Sequence, residues 1–167
     1  LHSIRPDLKI VTYRGNINTR LRKLEEGLVD ATILASAGLK RSNLFDPNIC
    51  HILDPEVMLP SAGQGTIAVE VRSDDSQMLE ITRKINHLPT WHVSMAERSC
   101  LKYLDASCRT PFSAFATLES GIIKANYMLS DFNSSFLIYH QETGKVEEAQ
   151  NIGIKAGKAL LAGKIRN

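Results

Sequence analysis

Apolar and polar positions in the first half of the chain switch repeatedly between a strand-like and a helical spacing. Three runs rich in apolar and β-branched residues predict buried strands, over 8–13, 29–35 and 66–71. The segments after them predict one helix from Asn18, capped by Asn18 or Thr19, a short helix from Ser36 and a third helix over 74–86. This alternation is typical of an α/β domain with a largely parallel sheet.

The pattern changes beyond Pro89. A helical spacing over 91–104 is followed by three strand-like runs and then by a helix over about 147–162. The strand-like runs cover 112–118, 122–129 and 135–139, and the short turns between them predict hairpins. Ser94 and Glu97 have the spacing of a capping box for the first helix. The second half is therefore predicted to be a small α+β domain with a three-stranded antiparallel sheet.

Composition is that of a soluble globular protein. The chain has 167 residues, of which 43% are hydrophobic and 23% are charged. None of its apolar runs approaches the roughly 20 residues of a membrane helix, and it has no signal-peptide pattern. Because the sequence starts at Leu1 rather than at a methionine, we expect it to begin inside a longer protein.

Charge is unevenly distributed along the chain. The formal net charge is +2, whereas residues 1–41 carry eight basic and four acidic side chains. This local excess favours an anionic ligand over a general nucleic-acid surface, and a solvated basic face is an equally simple interpretation. Tyr13 is the only Phe, Trp or Tyr of this segment, which disfavours stacking on nucleic-acid bases.

The three cysteines differ in their sequence context. Their number and spacing suggest neither a disulfide framework nor a zinc site. Cys100 shares the apolar stripe of a helix, which predicts a core thiol. Cys108 follows the end of that helix and precedes Arg109, a cation that would favour the reactive thiolate. From these facts alone, a functional Cys108 and a half-buried loop thiol are about equally favoured.

Four motifs give the chain a specific resemblance to a known family. In order they are Arg14-Gly15-Asn16-Ile17-Asn18-Thr19-Arg20-Leu21, Ala35-Ser36-Ala37-Gly38-Leu39-Lys40-Arg41, Leu59-Pro60-Ser61-Ala62-Gly63-Gln64-Gly65, and Ala96-Glu97-Arg98 continuing through Cys108 to Pro111. On these motifs the chain resembles the porphobilinogen deaminases, also called hydroxymethylbilane synthases, over essentially its whole length. The resemblance covers only the later part of that three-domain family.

The resemblance implies a transferase of tetrapyrrole (haem) biosynthesis. Such an enzyme joins four porphobilinogen units into the linear tetrapyrrole hydroxymethylbilane, and each addition releases ammonia. The resemblance further implies that growth starts on a dipyrromethane cofactor, one per chain, held by a thioether to Cys108. On this reading Cys108 needs no histidine partner, because it anchors a primer and does not turn over.

The resemblance also assigns a set of binding residues. The implied cofactor- and substrate-binding positions are Arg14, Arg20, Ala35, Gly38, Arg41 and Gln64, with no metal. Pyrroles of this pathway carry acetate and propionate groups, and the planar guanidinium of arginine binds carboxylates through two hydrogen bonds. Ala35 and Gly38 match backbone positions that approach the pyrroles closely, and Gln64 matches a polar contact in a glycine-rich hinge.

Two departures from the family pattern bear on the site. Many members have two glycines before the cofactor cysteine, where this chain has Ala106 and Ser107. If a positive φ were needed there, alanine or serine would cost about 1 kcal/mol or more. The family's catalytic aspartate lies in the first domain, upstream of Leu1, so no catalytic residue is assigned here and the piece alone is expected to be inactive.

The resemblance implies a division into three parts. Residues 1–60 correspond to domain 2, incomplete at its start, residues 61–86 to the hinge and a segment returning to domain 1, and residues 87–167 to domain 3 with the cofactor cysteine. The first two domains are expected to form a pair like the type-2 periplasmic binding proteins. The expected partners are porphobilinogen, the growing polypyrrole and the N-terminal domain of the same protein, in a monomeric cytoplasmic enzyme without nucleic-acid or membrane partners.

Two other functions are compatible with the residues alone. The first is a solute-binding domain of the same architecture, in which arginines grip an anionic ligand and Cys108 is merely structural. The second is a nucleic-acid-binding module that uses the basic excess of residues 1–41, for which affinity would fall steeply with salt.

Overall fold

The computed structural model describes residues 1, 5–107, 109–131 and 136–166. Within it the chain divides into two compact units, Leu1–Leu53 and Asp54–Asn167. No helix in the described ranges is both long enough and apolar enough to cross a bilayer.

The first unit contains two short helices. Helix α1 spans Ile17–Glu25 and α2 spans Ser36–Arg41. The helix predicted from Asn18 is confirmed, but the cap predicted at Asn18 or Thr19 is wrong: Asn16 is the N-cap, and its side-chain oxygen accepts the Thr19 amide hydrogen at 2.8 Å. The short helix from Ser36 is confirmed.

The three strands predicted in the first half are corrected by the structure. Residues 8–13, 29–35 and 66–71 contain no assigned strand. A strand exists only where a neighbouring segment completes its ladder of hydrogen bonds, and no described segment pairs with these three. Their apolar side chains are correspondingly open to solvent, with exposed fractions of 55% at Ile10, 47% at Ile33 and 72% at Ile67.

The second unit holds the helix predicted over 74–86 and the elements that the pattern beyond Pro89 predicts. Helix α3 is Ser76–Ile85 and α4 is Leu88–Tyr103, followed by strands β1 (Phe112–Glu119), β2 (Ile122–Ser130) and β3 (Leu137–Lys145), a 3₁₀ turn (Val146–Glu148) and helix α5 (Ala149–Arg166). The strands form an antiparallel sheet in the order β1-β2-β3. The three-stranded antiparallel sheet is confirmed, although β3 runs further than the predicted 135–139.

The turn between β1 and β2 is a two-residue hairpin, as the sequence predicts. Glu119 pairs with Ile122, and both intervening residues, Ser120 and Gly121, have positive φ. Two positive φ values in a two-residue loop suit the right-handed twist of the flanking strands. The turn predicted at Asp131-Phe132-Asn133 lies largely outside the described residues.

The core of the second unit lies between one face of the sheet and helices α4 and α5. Alternate residues of β1 and β2 point into it, and Cys100 of α4 is fully buried, which confirms the predicted core thiol. The two helices approach closely at Gly153, where a Cβ atom would lie 2.3 Å from the Ala96 carbonyl oxygen. Glycine is therefore required at this crossing.

The predicted capping box of α4 is wrong. The helix begins three residues earlier than predicted, at Leu88, and its N-cap is His87, whose ring nitrogen accepts the Thr90 amide hydrogen at 3.4 Å. Glu97 lies in the middle of the helix and is 7% exposed. Its carboxylate therefore does not cap the first turn of α4.

Candidate functional site

The segment that precedes α1 is fastened to that helix by three polar contacts. The Tyr13 hydroxyl donates to the Arg20 carbonyl oxygen, and the Lys23 ammonium donates to the Arg14 carbonyl oxygen at 3.1 Å. Arg20 Nε donates to the Gly15 carbonyl oxygen at 2.9 Å. These contacts hold the segment that contains Arg14 against α1, the helix that carries Arg20.

Gly15 makes this connection possible. Its φ is +140°, and an added Cβ would lie 2.8 Å from Thr19 Cγ2. Both facts exclude an ordinary side chain. The Arg14-Gly15-Asn16 motif is therefore explained locally by a sharp turn into the N-cap of α1.

Ala35 and Gly38 lie at the start of α2. Ala35 is the N-cap residue, with extended backbone, and its carbonyl oxygen accepts the amide hydrogens of Gly38 and Leu39. A Cβ on Gly38 would lie 3.0 Å from Ile17 Cδ1. The start of α2 thus approaches the start of α1, which carries Arg20, and the small residue at 38 permits the approach.

The arginines of the first unit differ in whether a carboxylate neutralises them. Arg5 pairs with Asp7 at 2.6 Å, and Arg22 pairs with Glu26 one turn along α1. Arg14, Arg20 and Arg41 form no ion pair with any described residue. The three arginines that the sequence singles out are therefore the ones whose charge is available to an anionic ligand.

Gln64 lies in the second unit, in a turn of Ser61-Ala62-Gly63-Gln64-Gly65. Gly63 and Gly65 have φ values of +72° and +84°, so a left-handed residue stands on each side of Gln64. The Gln64 amide donates to the Ser61 carbonyl oxygen and the Thr66 amide to the Gly63 carbonyl oxygen, each at 3.0 Å. This ordered turn leaves the Gln64 side chain exposed to solvent.

Cys108 lies outside the described residues, whereas the residues that lead to it are described. Helix α4 ends with Asp105 at a φ of +48°, and the Asp105 and Ala106 amides donate to the carbonyl oxygens of Lys102 and Leu101. This pair of bonds is the Schellman termination of a helix. The left-handed residue is therefore Asp105.

Ala106 and Ser107 consequently stand where no glycine is required. Neither has a positive φ. The Ser107 amide donates to Thr110 Oγ1 at 3.0 Å, and the Arg109 amide donates to Ser107 Oγ at 3.2 Å. The departure from two glycines therefore places neither Ala106 nor Ser107 in a left-handed conformation that would favour glycine.

The two described thiols are poor candidates for covalent chemistry. Burial raises the pKa of the Cys100 thiol to about 12, so it stays protonated at neutral pH and lacks the nucleophilic thiolate form. Cys50 is half-buried. Within the described ranges, no group of three or more His, Cys, Asp or Glu side chains is arranged to hold a metal ion.

Sequence reasoning misassigned one residue near this region, Glu97. Its carboxylate accepts the Gly63 amide hydrogen at 2.6 Å and the Ala116 amide hydrogen at 2.8 Å. Burial raises the pKa of Glu97, and the two hydrogen bonds oppose that rise. The available signal was that an acidic residue falls within the apolar stripe formed by Val93, Ala96 and Cys100.

Comparison with known proteins gives two successive family matches. Residues 1–80 match the family model "Porphobilinogen deaminase, dipyromethane cofactor binding domain", and residues 91–162 match "Porphobilinogen deaminase, C-terminal domain". The chain therefore consists of a region like a cofactor-binding domain followed by a C-terminal domain.

Curated relatives align with almost the whole chain. The porphobilinogen deaminase of Rickettsia canadensis is 47% identical over 163 residues, which are 97% of this chain and 54% of that protein. That of Rickettsia bellii is 47% identical over 159 residues, 95% of this chain and 53% of the relative. The chain belongs to the porphobilinogen deaminase family. It spans about half the length of these relatives.

Proposed function

We propose that the protein containing this chain polymerises four porphobilinogen units with loss of one ammonia per unit, and that hydrolysis with one water molecule then releases hydroxymethylbilane. The observation that carries this proposal is the pair of family matches, in order, over residues 1–80 and 91–162. The free charges of Arg14, Arg20 and Arg41 support it independently, because the acetate and propionate groups of pyrroles require such partners. No observation favours a solute-binding domain.

The residues present fit a dipyrromethane cofactor. Bound through a thioether to Cys108, that group would supply the pyrrole to which further units are joined. In the first unit the donor set consists of unpaired guanidinium groups, and Arg20 keeps both terminal amino groups without a hydrogen bond to any described residue. Arginines in this state bind carboxylates strongly, since their own neutralising partners are absent.

Each remaining site residue has a role in this proposal. Arg14, Arg20 and Arg41 bind carboxylates of the cofactor and of the growing chain. Ala35 and Gly38 let the backbone approach the pyrroles, and Gln64 donates or accepts a hydrogen bond from its exposed turn.

The wider organisation belongs to the same proposal. We assign residues 1–60 to a second domain, 61–86 to a hinge and a segment returning to the first domain, and 87–167 to a third domain. The first two would form a pair like the type-2 periplasmic binding proteins, and the first would supply the catalytic aspartate. The remaining length of the relatives, about half, leaves room for such a domain. The intact enzyme is assigned to the cytoplasm as a monomer without nucleic-acid or membrane partners.

Product formation by the full-length protein tests this function. Wild-type protein supplied with porphobilinogen should release a linear tetrapyrrole and ammonia, and Cys108→Ala should abolish both. Cys50→Ala is the matched control, because it removes a half-buried thiol outside the assigned site and should leave the activity unchanged. A full-length wild-type protein that consumes no porphobilinogen, or a fully active Cys108→Ala variant, would overturn the proposal.

A further inference from the structure

Glu97 is a charged side chain that the proposed reaction does not use. It is 7% exposed, and each carboxylate oxygen accepts one backbone amide hydrogen. A buried carboxylate is tolerated only when its oxygens are satisfied in this way, and losing a bond to a charged group costs more than losing a neutral one. Glu97 therefore fixes the positions of the two backbone amide groups that donate to it.

The two donors belong to separate segments of the second unit. Ala116 is on β1, and Gly63 is in the Ser61–Gly65 turn, 34 residues before Glu97 along the chain. The neighbouring β1 amide, Ala114, donates to the Pro60 carbonyl oxygen at 3.0 Å. Pro60 and Glu97 thus cover an edge of β1 that would otherwise present unpaired amide groups.

These contacts fasten the turn to the C-terminal sheet and helix at three points. Besides the Pro60 and Gly63 contacts, the hydroxyl groups of Thr66 and Ser94 lie 3.3 Å apart. Gln64 follows Gly63 directly, and the left-handed conformation of Gly63 sets the direction in which the chain continues. A displacement of the Gly63 amide therefore also displaces Gln64, the next residue along the chain.

We propose that Glu97 is a positioning residue, which fixes the place of the Gln64 side chain by binding the Gly63 amide. Glu97 itself touches neither substrate nor cofactor and acts through Gln64. This inference rests on the proposed function only for the role of Gln64. The hydrogen bond from the Gly63 amide to the Glu97 carboxylate, called the latch below, is observed independently of that function.

Amide hydrogen exchange in the full-length protein tests the latch without reference to activity. In the wild type, the Gly63 amide should exchange at least about tenfold more slowly than that of Gly65, which has no acceptor among the described residues. In Glu97→Gln, a single amide oxygen can accept only one of the two donors well and the NH₂ group faces the other. Exchange at Gly63, Ala116 or both should then rise about tenfold, while the core amide of Ala125 should not change.

Two results would overturn the latch. One is a wild-type Gly63 amide that exchanges as fast as Gly65, which requires no variant and so is unaffected by misfolding. The other is a uniform rise at Gly63, Ala116 and Ala125 in Glu97→Gln, which would mean that Glu97 supports the unit as a whole. Glu119→Gln is the matched control, because it neutralises an exposed carboxylate at the end of β1 and should alter none of these rates.

A double-mutant cycle then tests the action through Gln64. Cofactor occupancy by intact mass and kcat/KM for porphobilinogen are measured for Glu97→Gln, Gln64→Ala and the double variant. Glu97→Gln should reduce these quantities in the wild-type background and have little further effect once Gln64 is alanine. If the double variant instead shows the product of the fold-changes of the two single variants, Glu97 does not act through Gln64 and the positioning role is wrong. If the wild type proves inactive, the exchange result still decides the latch, so the two failures remain distinguishable.

Discussion

The stability of the fold depends on whether the carboxyl group of Glu97 is protonated. Its pKa is raised by burial above the ordinary value of 4.5, so the folded protein holds this proton at pH values where the unfolded chain has lost it. The titratable neighbours Tyr127 and Cys100 stay protonated in this range, since burial raises the pKa of both, that of Cys100 to about 12. Among these three groups, Glu97 is therefore the one whose ionisation changes as the pH rises from 4.5 through its raised pKa.

The sign of the resulting pH dependence follows from linkage. Because the folded state binds the Glu97 proton more tightly, the contribution of this residue to the free energy of unfolding is largest below pH 4.5 and is lost as the pH rises through the raised pKa. Glu97→Gln should remove this loss, so its stability should fall less, or rise more, than that of the wild type across the window. Urea denaturation at a series of pH values measures the difference, and Glu119→Gln should follow the wild type. A wild-type curve parallel to that of Glu97→Gln would contradict the account.

The unpaired arginines predict a contrast within one helix. Arg20→Gln should lower kcat/KM or cofactor occupancy of the full-length protein by about tenfold or more, because a charge-assisted bond to a carboxylate is lost. Arg22→Gln lies two residues away and removes only an exposed pair with Glu26, so its effect should stay within about twofold. Kinetics and intact mass of both variants provide the measurement. Equal effects would show that the carboxylate-binding assignment of Arg20 is wrong.

At the scale of elements, the end of α4 carries the most specific prediction. Asp105 is left-handed, with a φ of +48°, whereas Ala106 and Ser107 are not. Asp105→Gly should raise the free energy of unfolding by about 0.5–1 kcal/mol, since glycine adopts this conformation without steric cost. Ala106→Gly should lower it by a similar amount, because glycine gains entropy only in the unfolded chain. Thermal or urea unfolding of the two variants would contradict the assignment if their order were reversed.

The crossing of α4 and α5 predicts a large loss of stability. Gly153→Ala would place a Cβ 2.3 Å from the Ala96 carbonyl oxygen, and backbone cannot move aside as a side chain can. We expect destabilisation of about 2 kcal/mol or more. Gly163→Ala is the control on the same helix, where the nearest atom belongs to the flexible Ile138 side chain at 3.1 Å. Denaturation midpoints that shift equally for both variants would rule out the close helix contact as the reason for glycine at 153.

For the whole molecule, sequence patterns predicted the C-terminal half better than the first half. The sheet and its helices were predictable because their partners lie nearby along the chain: Glu119 pairs with Ile122 across a two-residue turn. The strands expected at 8–13, 29–35 and 66–71 were not found, since periodicity reports which residues suit a sheet and not whether a partner strand is present. The contact between Gly63 and Glu97 could not be predicted, because 34 residues separate the two partners.

Only the parts of the site that lie within short sequence motifs could be predicted from the sequence. Unpaired charge at Arg14, Arg20 and Arg41 is compatible with the roles that the resemblance implies. The sequence does not show whether Ala106 or Ser107 needs a positive φ, because only the structure reveals that the left-handed residue is Asp105. The spacing Ser94-x-x-Glu97 predicts a helix cap wherever it occurs, whether or not a helix begins there, so it does not reveal that Glu97 is buried in the middle of α4.

The exposed apolar segments yield a prediction about the full-length protein. Ile67 and Val69 are 72% and 59% exposed in this chain, although they alternate as strand residues do. If the remainder of the protein supplies partner strands, the amides of residues 66–71 should be strongly protected from exchange in the full-length protein. Exchange of this segment as fast as that of an unstructured peptide would show that the remainder of the protein supplies no such partner strands. The amides of β2 serve as the internal reference for protection.

The central claim is that Cys108 anchors a dipyrromethane primer, and the intact mass of freshly prepared full-length protein tests it most directly. We expect a mass increment equal to two linked pyrroles with their acetate and propionate groups, mapped by peptide analysis to the segment that contains Cys108. The increment should be absent in Cys108→Ala and retained in Cys50→Ala. An unmodified Cys108 in the wild type, or an increment that maps to another residue, would contradict the account.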